Sequence, residues 1–233
     1  MSRGYDDSLL TVHCSLFSEE EMMAKANDSP IYQLHISIRD THPPIWRRVQ
    51  VRGNINLKQL HDIIQVLFGW EDYHLHMFEI NGMSFTDDRE SRMELEMRDE
   101  NRMRLDRLDL QEGMKFTYTY DFGDDWVHDI KVEKILPADP TGAYPVCLKG
   151  KRAGPPEDCG GVWGYAEIVE ILAMVARGEI QAPGGDENED EEELAREESY
   201  DQRLELLEWV GPEFDPEAFD LDAINAALKR FQK

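Results

Sequence analysis

The stretch Tyr118–Ile130, YTYDFGDDWVHDI, decides how the chain reads. Phe116, Tyr118 and Tyr120 alternate ahead of it, Phe122 to Asp125 is a cluster of turn-forming residues, and Val127 to Ile135 leaves as a second alternating run. Alternation, turn and alternation again predict a β-hairpin. Lys131, Glu133 and Lys134 give its second strand a solvent-facing side, the side expected for His128 if it has an ordinary structural role. The letters D-F-G inside the turn match the magnesium-binding loop of protein kinases. That chemistry needs a glycine-rich phosphate loop, a strand lysine and an H-R-D catalytic loop, and the chain has none of them.

Upstream, IYQLHISIRD sets Tyr32, Leu34, Ile36 and Ile38 against Ile31, Gln33, His35 and Ser37, and IWRRVQVRG alternates again after the break THPP. Both read as strands, the second as hairpin partner of the first. Leu57, Leu60, Ile63, Ile64 and Leu67 switch to helical spacing, with Asn54 or Asn56 as the cap and Gly69 as the stop. YHLHMFEING returns to strand character and closes on Asn81-Gly82, a hairpin turn signal.

Residues 86–112 are dense in both charges and read as a solvated excursion with limited structure. YPVCLKGKRAGPPEDCGGVWG holds five glycines and three prolines and reads as a loop, followed by the helix YAEIVEILAMVARG, ended by Gly178. Beyond it come an acidic linker, a short amphipathic helix and a last helix with Pro216 in its first turn.

With 233 residues the chain can bury a core. Its net charge of −24 is unevenly spread: residues 184–233 hold 17 acids against 5 bases, or −12, whereas residues 31–136 hold 20 against 14, or −6. The acidity belongs mainly to the tail, which argues against binding duplex DNA over the whole surface. No segment reaches the ~18 apolar residues of a membrane helix, and MSRGYDDSLL lacks the basic and apolar regions of a secretory signal. Cys14, Cys147 and Cys159 are odd in number and far apart, so the expected setting is a reducing cytoplasm.

Several constellations carry candidate chemistry. His74 and His76, two apart on an expected strand, would share a face and offer two imidazoles to a divalent metal, with Asp121, Asp124 or His128 completing a mixed nitrogen and oxygen set. Ordinary structure accounts for the same residues: histidines at the core rim, aspartates accepting turn amides. No cofactor follows from the sequence itself. Arg47, Arg48, Arg52 and Lys58 form a basic edge where an anion or nucleic acid could dock, with Trp46 beside Arg48 and Arg52 for stacking; arginine stems covering Trp46 on a solvated face is the plainer reading. Cys147 and Cys159 lack the paired spacing of structural zinc modules, and Glu157 and Asp158 beside Cys159 oppose thiolate formation.

HPPIWRRVQV, LKQLHDIIQVLFGWEDYHLHMFEI, YTYDFGDDWVHDI and YPVCLKGKRAGPPEDCGGVWGY, in this order over about residues 31–180, together resemble the plasmid pRiA4b ORF-3-like family. The resemblance implies an α+β domain with a mixed, largely antiparallel sheet and helices packed against it, here with a C-terminal helical extension. It implies an organisation of lead-in 1–29, domain 30–180, acidic linker 181–199 and helices 200–233. It implies little chemistry: members resemble passenger genes of plasmids and insertion elements, some labelled resolvases. No histidine here is followed by arginine at the third position, as a tyrosine recombinase requires, and the early serine in YDDSLL is flanked by acids that would repel a phosphate. The leading expectation is a non-enzymatic binding or interaction module with a protein or nucleic-acid partner and no membrane. The alternatives are a metal-assisted hydrolase using His74, His76 and the Asp121–His128 hairpin, and a nucleic-acid accessory protein acting through Arg47, Arg48 and Arg52.

Overall fold

A computed structural model describes residues 29–179, 203, 205–211 and 213–232. Cys14, the lead-in before Ser29 and the acidic linker lie outside the described residues. Eight strands form one sheet: β1 (Ile31–Ile38), β2 (Trp46–Arg52), β3 (His76–Ile80), β4 (Met83–Thr86), β5 (Arg98–Asp99), β6 (Lys115–Tyr120), β7 (Trp126–Leu136) and β8 (Val146–Lys151). Their order is β5-β4-β3-β6-β7-β1-β2-β8, antiparallel throughout except for the short parallel pair β4–β5. The fold is α+β.

The registers follow from which side chains had to be buried together. Leu34 lies opposite both Val49 and Val132, Ile36 opposite Ile130, and Tyr118 opposite Phe78 and His128, so one face of the sheet is apolar from β2 to β3. Helix α1 (Leu57–Phe68) covers that face with Leu57, Leu60, Ile63, Ile64 and Leu67, all buried. Asn56 caps α1 through Gln59 in a reciprocal capping box, and Gly69, at φ 81°, ends it in the left-handed region. Asn81 and Gly82, at φ 52° and 73°, make the β3–β4 turn that the sequence predicts.

Four expectations need correcting. His128 faces inward, fully buried, because it shares the parity of Trp126, Ile130 and Val132; the wet side of β7 carries Asp129, Lys131 and Glu133. Residues 86–112 contain helix α2 (Arg89–Glu94), β5 and two 3₁₀ turns, and they bury Leu105, Leu108, Leu110 and Glu100. The segment is therefore a cover of the core rather than a solvated excursion. The glycine- and proline-rich loop contains β8, and helix α3 begins within it, spanning Gly161–Ala176. Pro216 precedes the last helix, α4 (Leu221–Leu228), whose cap is Asp220.

Helix α4 packs on β8 and α1, and Leu228 is fully buried in the common core, so the C-terminal helix is part of the domain's packing. The Asn225 side chain accepts from Cys147 N–H at 2.8 Å and donates to Cys147 C=O at 2.9 Å, taking up the outward backbone groups of β8. No helix among the described residues is long and apolar enough to cross a membrane.

Candidate functional site

A buried polar cluster lies between α1 and β3. Helical spacing puts Lys58, His61, Asp62 and Gln65 on neighbouring turns of α1, and β3 turns His76 inward under them. The two imidazoles stack, with centroids 3.6 Å apart and planes 15° from parallel. Tyr118 Oη stands 2.8 Å from His61 Nδ1 and accepts from Gln65 Nε2 at 3.0 Å. Burial raises the Tyr118 phenol well above its ordinary range, so it stays a hydroxyl and donates to Nδ1. His61 Nε2–H is then the donor to Asp72 Oδ1 at 2.9 Å. Burial pulls His61 down to about 4, with Asp72 opposing, so the imidazole is neutral at pH 7. The His61 hydrogen bond, with Lys58 beside it, holds the Asp72 carboxylate below the usual range.

On the other side of the stack, His76 Nε2 is 3.0 Å from both carboxylate oxygens of Glu100 and 3.9 Å from Asp87 Oδ1. Glu100 is fully buried, and burial raises its pKa while His76 opposes the rise. Lys58 Nζ closes the rim at 3.0 Å from Asp62, 3.2 Å from Asp72 and 3.9 Å from Asp87. His61–Asp72–His76 and His76–Asp87–Glu100 both gather ligand atoms within 4.8 Å of one another.

The structure divides the expected metal set. Asp72 turns the chain at φ 61°, and β3 begins only at His76, so His74 lies ahead of the strand and does not share a face with His76. His74 instead meets Asp121 and Asp158, its Nε2 at 3.7 and 3.0 Å from their carboxylates without hydrogen-bond alignment to either. Asp124 accepts from Gly160 N–H at 3.1 Å. His128 sits apart, its Nδ1 bound to Trp126 C=O at 2.9 Å among the rings of Phe68, Trp70 and Tyr118, with no hydrogen-bond partner for Nε2 among the described residues.

The basic edge is already engaged. Arg47 is buried, lowered to about 10 by that burial, and its guanidinium donates to the carbonyls of Trp46, Leu67, Lys151 and Arg152. Arg48 lies over Trp46 and grips Glu133 with two bonds of 2.6 and 2.7 Å. Arg52 donates to the carbonyls of Asp139 and Gly142 and stacks on Tyr144. Lys58 belongs to the carboxylate rim described above. Cys147 and Cys159 are buried free thiols in neither histidine cluster, and burial raises Cys159 to about 12.

A cleft of about 880 Å³ opens on the opposite side of the hairpin turn, between residues 39–42, residues 123–125 and the start of α3. Gly161, at φ 68°, lets the helix start approach the turn: a Cβ there would stand 2.4 Å from Asp124 C=O. Val162, Trp163 and Val169 line one wall, with Trp163 87% exposed. Asp40, Asp124, Asp125 and Glu170 make the rim acidic, and Arg39 beside them is bound to Asp129 at 2.6 Å.

Sequence reasoning missed His61, Asp72, Asp87 and Glu100. His61 was legible as a polar residue inside the apolar spacing of α1, and the leucines at 105, 108 and 110 marked the charged segment as partly buried. Nothing in the sequence signals that Glu100 meets His76.

Known proteins of this shape add a family but no chemistry. The chain matches the family described as plasmid pRiA4b ORF-3-like protein over residues 30–223, which extends past residue 180 to include α4 as far as Ala223. It is 32% identical over 200 residues to the uncharacterized protein y4hQ of Sinorhizobium fredii, covering 85% of this chain and 90% of that one. It also resembles the crystal structure of the protein of unknown function MM3350 from Methanosarcina mazei Go1, with 37% identity and a TM-score of 0.64 over 83% of this chain and 96% of that one. The chain belongs to the plasmid pRiA4b ORF-3-like family.

Proposed function

We propose that the protein is a non-enzymatic binding module whose partner is a protein segment carrying an apolar anchor next to a basic side chain. The observation that supports this reading is the cleft at the hairpin turn. Three of the stretches that mark the family border it, and it combines an exposed indole with an acidic rim. Exposed aromatics beside a concave wall serve as anchors in protein recognition. Asp40, Asp124 and Asp125 outnumber the one Arg39 guanidinium at this rim, which favours a cationic neighbour and disfavours a phosphate backbone.

Hydrolysis by a single ion on His74, His76 and the Asp121–His128 hairpin has less support, since His74 and His76 belong to separate clusters. Nucleic-acid binding through Arg47, Arg48 and Arg52 would break existing guanidinium bonds. A link to plasmids or mobile elements rests on the family's description.

Arrays of short randomised peptides test the reading. Wild-type protein should select sequences pairing an aromatic or aliphatic residue with lysine or arginine, and Trp163→Ser should weaken that selection roughly 10-fold or more, the loss expected of an anchor side chain. Equal selection by the variant would refute the cleft as the binding surface.

A further inference from the structure

We infer that His76, Asp87 and Glu100 form a binding site for one divalent transition-metal ion, of the class of Zn²⁺, Mn²⁺ or Fe²⁺. The site is independent of the peptide cleft.

The buried carboxylate comes first. Glu100 is fully buried, and among the described residues its side chain receives one donor, His76 Nε2, shared between both oxygens at 3.0 Å. A carboxylate has about four acceptor positions, and leaving most of them unfilled away from water is costly. A cation between Nε2 and the two oxygens fills them at once.

Spacing agrees. Ligands bound at 2.0–2.2 Å to a tetrahedral or octahedral ion stand roughly 3.0–3.5 Å from one another. His76 Nε2 is 3.0 Å from Glu100 and 3.9 Å from Asp87, and the three ligand atoms all lie within 4.8 Å. A small inward turn of Asp87, which is partly exposed, completes the set. One nitrogen and two oxygen donors without thiolate match the stated ions rather than Cu⁺.

The surroundings hold the ligands in place. His61 stacks on His76 at 3.6 Å, and Thr86 Oγ1 donates to His76 C=O at 2.9 Å. His61 itself is a support and not a ligand, because Tyr118 occupies its Nδ1 and Asp72 its Nε2. Such outer hydrogen bonds and contacts are what orient metal-binding side chains. Charge agrees as well: Asp62, Asp72, Asp87 and Glu100 surround one Lys58 ammonium, a formal −3 that a divalent ion reduces to −1.

Metal content settles the matter on the full chain, purified without a histidine tag, stripped with EDTA and dialysed against Zn²⁺, Mn²⁺ or Fe²⁺ in turn. Wild type should retain about one ion per chain. Asp87→Asn, a partly exposed and nearly isosteric change, should weaken uptake roughly 10- to 100-fold. Glu100→Gln should do the same if it folds, and His74→Ala should leave uptake unchanged. Co²⁺ loading adds a visible spectrum that Asp87→Asn should abolish. No stoichiometric uptake of any of these ions, uptake undiminished in Asp87→Asn, or loss in His74→Ala would each overturn the assignment.

Discussion

At the scale of single residues, His128 shows how one buried ring couples the fold to pH. Full burial lowers its imidazole to about 4, against 6.5 in an unfolded chain. Between those values the unfolded chain takes up a proton that the folded chain refuses. The contribution is therefore complete above pH 6.5 and lost as pH falls towards 4, on the order of 3 kcal/mol. His61 shifts in the same direction and adds to the same acid limb. His128→Phe should make the urea midpoint fall less steeply between pH 6.5 and 4, with a separate, pH-independent loss from the Trp126 C=O that no longer receives the Nδ1–H. An unchanged pH slope would contradict the assignment. The sequence offered this residue on the wrong face: counting from Val127 puts it outside, counting from Trp126 puts it inside, and only the partner strand decides.

Among elements, those with one strong period were legible and those with mixed signals were not. Strands β1, β2, β6 and β7 alternate cleanly, and α1 carries its own cap and stop, so local chemistry and tertiary packing agree. Strand β8 was hidden because its six residues sit among glycines and prolines. The core leucines at 105, 108 and 110 share no single helical or strand period because a 3₁₀ turn places the first two and an irregular stretch the third, and surrounding charges mask them. The candidate metal site depends on this segment, which is why its carboxylates were not legible. At the cleft, the junction of turn and helix depends on Gly161. Gly161→Ala places a side chain in the left-handed region and against Asp124 C=O, which should cost roughly 1–3 kcal/mol from backbone strain alone. Chemical denaturation measures this directly, and a variant as stable as wild type would show that the contact is not tight.

For the whole molecule, the last described helix closes on the main core, since α4 packs against both β8 and α1. Leu228 is fully buried there, and Leu228→Ala should lower unfolding free energy by about 2–5 kcal/mol, as large-to-small core changes do. Equilibrium urea unfolding with a single transition is the check; a loss under about 1 kcal/mol would mean that α4 rests on the surface instead. Its seat on β8 also matters for what the molecule avoids. A border strand with free N–H and C=O groups invites a further strand from another chain. By presenting a side-chain amide to both polar atoms of Cys147, Asn225 imitates that missing neighbour and blocks its place. At the opposite border β5 is only two residues long, Arg98 and Asp99, and offers too little length to template anything. An eight-stranded sheet that could otherwise grow by stacking copies edge to edge is thus capped at both sides.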